Sequence, residues 1–132
     1  RSYACFGTDG YLIKVDSSGN EEWNKTFGCT GKEEINSIKE TTDGGYILGG
    51  STRAVPYGNV YSGNAYLIKI DSSGSTEWSR IYGYGADDVI EEVVQTDDGG
   101  YAAVGSTYYA KEDGNGSRIY LIKTNSNGLQ EF

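Results

Sequence analysis

The sequence Tyr-Leu-Ile-Lys-x-Asp/Asn occurs three times, at Tyr11–Asp16, Tyr66–Asp71 and Tyr120–Asn125, with spacings of 55 and then 54 residues. Other residues travel with it. Trp23, Trp78 and Phe132 sit at one offset behind the three copies, Asp43-Gly44-Gly45-Tyr46 returns at Asp98-Gly99-Gly100-Tyr101, and Gly50-Ser51-Thr52 returns at Gly105-Ser106-Thr107. A register held over several separated elements means one supersecondary unit copied in tandem, each copy burying an apolar face against its neighbour.

The composition says what kind of unit this is. Among 132 residues there are 20 glycines and one proline, and no apolar run is long enough to cross a bilayer, so a turn-rich β protein without a membrane span is expected. Eleven Lys and Arg against 19 Asp and Glu leave a net charge of −8. Nucleic acid is excluded as a partner, because neutralising phosphate requires clustered basic side chains. The sequence contains no methionine, which fits a processed mature form or an excised piece and leaves no signal peptide to read.

Strands and turns account for the chain. Ile35–Thr41 leads through Thr42-Asp43-Gly44-Gly45 into Tyr46–Ser51, and Asp-Gly between β-prone runs is a strong hairpin signal, read here as a turn with two residues at positive φ. Val89–Gln95 and Tyr101–Ser106 repeat the hairpin, variable segments follow at Arg53–Ala65 and Tyr108–Ile119, and Tyr-Leu-Ile-Lys forms a third strand. Asp71-Ser72-Ser73-Gly74 turns into a fourth, Glu77–Tyr82. The unit is four antiparallel strands in 54–55 residues. Tyr11, Ile13 and Val15 share one strand face and Leu12 lies on the other, so both faces carry apolar weight, which suits a sheet sandwiched between sheets. The recurring Trp23, Trp78 and Phe132 are read as packing residues between units.

The pattern Leu-Ile-Lys-x-Asp-x-x-Gly-x-x-x-Trp followed by Thr-x-Asp-Gly-Gly-Tyr resembles the blade repeat of a family of bacterial and archaeal secreted or cell-surface β-propeller proteins. It is more distantly similar to the tryptophan-docking repeat of quinoprotein-like propellers. The resemblance implies tandem four-stranded antiparallel propeller-like blades and an extracellular or cell-surface setting. By this reading residues 1–28 are a half-blade, 29–83 a full blade and 84–132 a nearly full one, about two and a half repeats. Closed propellers take four to eight blades. The expected remedy is self-assembly: incomplete blades leave apolar faces and strand edges that another subunit can cover, giving a ring if the rotation closes and a filament if it does not.

Cys5 and Cys29 flank the first Tyr-Leu-Ile-Lys unit. If Tyr11–Val15 and Trp23–Phe27 form a hairpin, the two cysteines return to one end, and a disulfide there would add roughly 3 kcal/mol in the chain-entropy model and imply an oxidising compartment. Two free buried thiols are the alternative.

Sites for chemistry are sparse. The absence of histidine removes Ser-His-Asp triads and His-based zinc or haem sites, and no catalytic residue, metal or cofactor is expected. The acidic doublets Glu21-Glu22, Glu33-Glu34, Asp87-Asp88 and Glu91-Glu92 read as solvated charges at strand ends and turns rather than a hydrolytic pair. Asp113-Gly114-Asn115-Gly116-Ser117 resembles the opening of a calcium loop, but Thr124 stands where the closing acid belongs, so it reads as a flexible loop. Asn24-Lys25-Thr26 and Asn115-Gly116-Ser117 are glycosylation sequons, with Asn115 placed in an exposed loop. Tyr57, Tyr61, Tyr108 and Tyr109 lie in the variable segments and offer ring and hydroxyl to glycans, to proteins or to a subunit interface. Lys14, Lys69 and Lys123 recur at one position and read as strand-end charge pairing. The function expected is that of a non-enzymatic extracellular structural protein forming a homo-oligomer or helical polymer. The alternative is a carbohydrate- or protein-binding segment of a larger secreted β-propeller.

Overall fold

A computed structural model of the chain describes residues 9–27, 32–53, 63–82, 87–111 and 114–132. Those residues are all-β, and every strand pairing is antiparallel. The first sheet is β1 (Gly10–Val15) and β2 (Glu21–Phe27). The middle sheet runs in sequence order through β3 (Glu33–Glu40), β4 (Tyr46–Thr52), β5 (Asn64–Ile70) and β6 (Thr76–Tyr82). The third holds β7 (Asp87–Gln95), β8 (Tyr101–Lys111) and β9 (Gly114–Thr124).

Alternation of side chains builds two cores from one middle sheet. Ile47, Ala65, Leu67 and Tyr82 meet Ile90, Val93, Tyr101, Ala103 and Ile122 of the third sheet. The alternate residues Leu48, Ile68 and Ile70 meet Phe27 of the first, with Leu12 and Trp23 packed against them. The two central strands of the middle sheet, β4 and β5, are therefore buried on both faces, while β3 and β6 at its edges stay largely polar.

Every described turn uses one left-handed glycine, at Gly19, Gly44, Gly74, Gly99 and Gly128. No other residue type has positive φ among the described residues, so the two-residue positive-φ turn expected at Asp43-Gly44 does not form. Instead Gly44 N–H donates to the Thr41 carbonyl and Thr41 N–H to the Gly45 carbonyl, a longer turn in which Asp43 takes no positive φ. Its carboxylate is then free to accept from Gly45 N–H. The Asp-Ser-Ser-Gly turns work similarly: Asp71 Oδ1 accepts from the backbone N–H of Ser73 and of Ser75, each at 2.9 Å. Asp16 and Asn125 repeat the arrangement.

The recurrence of Gly50 and Gly105 has a steric cause. Each faces a bulge in the neighbouring strand, at Ile35/Ser37 and Ile90/Glu92, and a Cβ on Gly50 would lie 1.7 Å from the Glu34 carbonyl oxygen. Only glycine fits there.

One expected loop is a strand pair. Ser106 to Lys111 continues β8, and β9 begins at Gly114, with Lys111 paired to Gly114. Tyr108, Tyr109 and Asn115 thus lie on strands in their backbone, opposite Ser117, Gly116 and Ala110. The run Ser-Thr-Tyr-Tyr is β-prone, and Asp113-Gly114, read as a calcium-like loop, carries the Asp-Gly pair that marks hairpins.

Candidate assembly surfaces

A lysine closes each sheet at its turn end. Lys69 Nζ donates to Asp43 Oδ2 at 3.0 Å, to Glu77 Oε2 at 2.9 Å and to the Ile70 carbonyl at 2.9 Å. Asp43 comes from the β3–β4 turn and Glu77 from β6, so the ammonium joins three strands through the fourth. Burial opposes its charge, but the hydrogen bonds to Glu77 and Asp43 outweigh that and hold Lys69 above the ordinary lysine value. The Asp43 carboxyl drops to about 2, chiefly through the Thr41 hydroxyl, then Gly45 N–H and Lys69. Lys123 repeats the clamp with Asp98, Glu131 and the Thr124 carbonyl, each at 2.9 Å. What looks in sequence like simple charge pairing is a three-way bond within a sheet.

The first copy of the clamp is half built. Lys14 donates to Glu22 and to the Val15 carbonyl, and no aspartate joins it among the described residues. Its side chain is 35% exposed, against 15% for Lys123 and 3% for Lys69. Among the described residues β1 pairs with β2 alone, whereas β5 and β9 each lie beside a strand that follows an Asp-Gly-Gly turn.

Trp23 and Trp78 are wedged between sheets. Trp23 Nε1 donates to the Ser72 carbonyl and its ring meets Tyr46 edge-on. Trp78 Nε1 donates to the Ser126 carbonyl and its ring meets Tyr101. Each ring lies against the turn glycine of the next repeat, where a Cβ on Gly74 would sit 2.9 Å from Trp23 and one on Gly128 2.7 Å from Trp78. Phe132 departs from this pattern at 69% exposed, because no further turn among the described residues receives its ring.

The two end sheets present uncovered faces. Tyr11, Ile13 and Val15 on β1 are exposed, and so are Val94, Val104, Ile119 and Leu121 on the third sheet. Equivalent positions inside the molecule are sealed. Leu67 is 0% exposed and its equivalent Leu121 56%, while Ile68 is 0% and its equivalent Ile13 48%. The Leu67 face of the middle sheet packs on the Ile122 face of the third. By the repeat, the uncovered Leu121 face is of the first kind and the uncovered Ile13 face of the second.

Two of the acidic doublets are not solvated turn charges. Glu33 and Asp88 occupy the same place in β3 and β7, both are buried, and each keeps one carboxylate oxygen without a partner. Burial pushes the Glu33 carboxyl up, against a hydrogen bond from the Thr52 hydroxyl. Their recurrence 55 residues apart was the available signal. Asp88 also lines a polar cleft of about 420 Å³ between β3 and β7, with Lys32, Glu34 and Arg53. Acidic side chains outnumber basic ones in its lining, and no cluster of three metal-binding side chains occurs among the described residues.

Asn24 is exposed on β2 opposite Ile13. Cys5, Cys29, Tyr57, Tyr61 and Asp113 lie outside the described residues, as do the side chains of Tyr108, Tyr109 and Asn115. No described helix is long and apolar enough to cross a membrane. No protein-family model matches the sequence, and comparison with curated proteins finds no match.

Proposed function

We propose that the chain is a non-enzymatic structural component built of propeller-like blades, which joins further copies of itself through its incomplete end sheets into a filament or surface assembly. The observation that carries this reading is the match between what is exposed and what is buried. The uncovered face at each end repeats, position by position, one side of the sealed contact between the middle and third sheets. Exposed apolar sheet faces of this kind mark interaction surfaces. Because the two ends differ, the contact is head-to-tail, and its rotation decides between ring and filament. An extracellular or cell-surface setting belongs to the same proposal and rests on the resemblance of the repeat.

Sedimentation and electron microscopy across a wide concentration range test it. The wild-type chain should form ordered polymers whose length grows with concentration and with salt, since screening relieves the repulsion of its net charge of −8. Ile13→Lys spoils one end and Val104→Lys the other. Each alone should stop polymerisation, and mixing the two should give capped dimers and nothing longer. A wild-type chain that stays monomeric throughout sinks the proposal and favours the alternative, a segment whose faces are covered by further repeats of one polypeptide.

A further inference from the structure

We infer, resting on the self-assembly reading above, that Phe132 of one copy docks on the Asp16–Asn20 turn of the next. Its ring seats over the next copy's Gly19 as Trp23 seats over Gly74 and Trp78 over Gly128.

Both halves of this contact are present, and both are open. Trp23, Trp78 and Phe132 hold one position of the repeat, and Gly19, Gly74 and Gly128 hold another. Within the chain each indole reaches forward to the glycine of the following sheet, Trp23 to Gly74 and Trp78 to Gly128. Phe132 is a ring without a glycine, 69% exposed. Gly19 is a glycine without a ring, with nothing within 4 Å of a Cβ built on it. The turn that carries it is otherwise finished: φ is 85° at Gly19 against 87° at Gly74 and 78° at Gly128. Asp16 Oδ1 accepts from Ser18 and Asn20 N–H as Asp71 Oδ1 accepts from Ser73 and Ser75 N–H.

The backbone holds Phe132 in place for the contact. Lys123 N–H donates to the Phe132 carbonyl at 2.8 Å and Glu131 N–H to the Lys123 carbonyl at 2.7 Å, so Phe132 stands opposite Lys123 as Trp78 stands opposite Lys69 and Trp23 opposite Lys14. Directly opposed residues share a sheet face, and so do residues two apart on one strand. Phe132 therefore belongs to the uncovered face of Leu121. The sheet that covers Ile68 also brings Trp23 to Gly74, and by the repeat the copy that covers Ile13 brings its ring to Gly19. Such a head-to-tail contact leaves β9 paired to β8 and the Lys123 clamp closed.

One bond sets the contact between copies apart from those within the chain. The indoles donate Nε1–H to the Ser72 and Ser126 carbonyls, whereas phenylalanine has no N–H to offer Ser17, the equivalent residue of the first turn.

The concentration for half-assembly, read by sedimentation, tests the docking. Phe132→Ala should raise it roughly tenfold or more, since the ring loses its burial, without moving the urea midpoint under monomeric conditions. Phe132→Trp should lower it roughly threefold or more, the indole now donating to the next copy's Ser17 carbonyl. Gly19→Ala should raise it roughly tenfold or more through the clash of its Cβ with the ring. Gly44→Ala places the same left-handed strain in a turn where a Cβ also meets open space, and should leave assembly unchanged. An equimolar mixture of Phe132→Ala and Gly19→Ala chains regains one sound contact per pair and should give dimers where each variant alone is monomeric. Assembly of Phe132→Ala at the wild-type concentration, or a shift for Gly19→Ala no larger than for Gly44→Ala, overturns the docking and leaves self-assembly standing. A wild-type chain that never assembles overturns both.

Discussion

The middle and first sheets carry nearly the same strand, Tyr-Leu-Ile-Lys-Ile-Asp in β5 and Tyr-Leu-Ile-Lys-Val-Asp in β1, yet one is sealed and the other exposed. Ile68 and Ile70 are fully buried, whereas Ile13 and Val15 at the same positions are about half uncovered. Lys69 is locked by two carboxylates and Lys14 by one. The difference shows that burial and ion-pair completeness in a repeat protein belong to the neighbours of a strand, not to its sequence.

The largest effect should come from deleting the same side chain in both places. Ile68→Ala should cost about 2–5 kcal/mol in urea unfolding, and Ile13→Ala about 0.5–1 kcal/mol or less under monomeric conditions. Equal costs would mean that β1 is covered in solution, which would sharpen the assembly reading.

The turn glycines come next. Gly19 and Gly74 share a left-handed conformation, but a Cβ on Gly19 meets open space and one on Gly74 meets Trp23. Gly19→Ala should cost about 1–2 kcal/mol for backbone strain, and Gly74→Ala about 2–4 kcal/mol once the ring is forced aside. A cost at Gly74 no greater than at Gly19 would show that the Trp23 wedge is loose.

Removing the clamp should have a smaller consequence. Lys69→Met should lose about 1–3 kcal/mol, since a buried charge-assisted network goes with it, and Lys14→Met less than about 1 kcal/mol. If the two cost the same, the aspartate missing from the first clamp contributes nothing measurable.

Acid titration should give the smallest change, in two directions. Asp43 lies below its ordinary value of 3.8, at about 2, so its contribution is complete above that ordinary value and is lost as pH falls towards about 2. Asp43→Asn should flatten the fall in melting temperature over that window. Glu33 lies above its ordinary 4.5 because of burial, so its contribution is present below 4.5 and is lost as pH rises through the raised value. Glu33→Gln should therefore raise the melting temperature at pH 7, and a lowered one would show that the charged form is favoured at that site.

Much of the architecture could be read from residues. The four-strand unit followed from Asp-Gly-Gly and Asp-Ser-Ser-Gly turns between β-prone runs, and the bounds of β2 to β7 moved by a residue or two, while β8 and β9 proved five and six residues longer than expected. The pairing of β8 with β9 up to Lys111 and Gly114 was obscured because the aspartate and asparagine of the segment also suit a cation loop. The buried Glu33 and Asp88 were obscured because an acid beside another acid reads as solvated. Phe132 occupies the tryptophan position by register yet stays exposed, since register places a residue without supplying what it packs against.

The sequence by itself determined the repeat, the period and the alternation that makes a sheet apolar on both faces, because these depend on the order of residues and on the period of a strand. Only the tertiary structure decided which copies of one strand are sealed, that Lys69 and Lys123 each join an Asp-Gly-Gly turn to a second carboxylate while Lys14 holds one carboxylate among the described residues, and that Gly50 and Gly105 sit against a neighbouring bulge. Those outcomes depend on residues from different strands and turns, such as Asp98 and Lys123 25 positions apart, being brought within a few ångströms, and no local pattern carries that information.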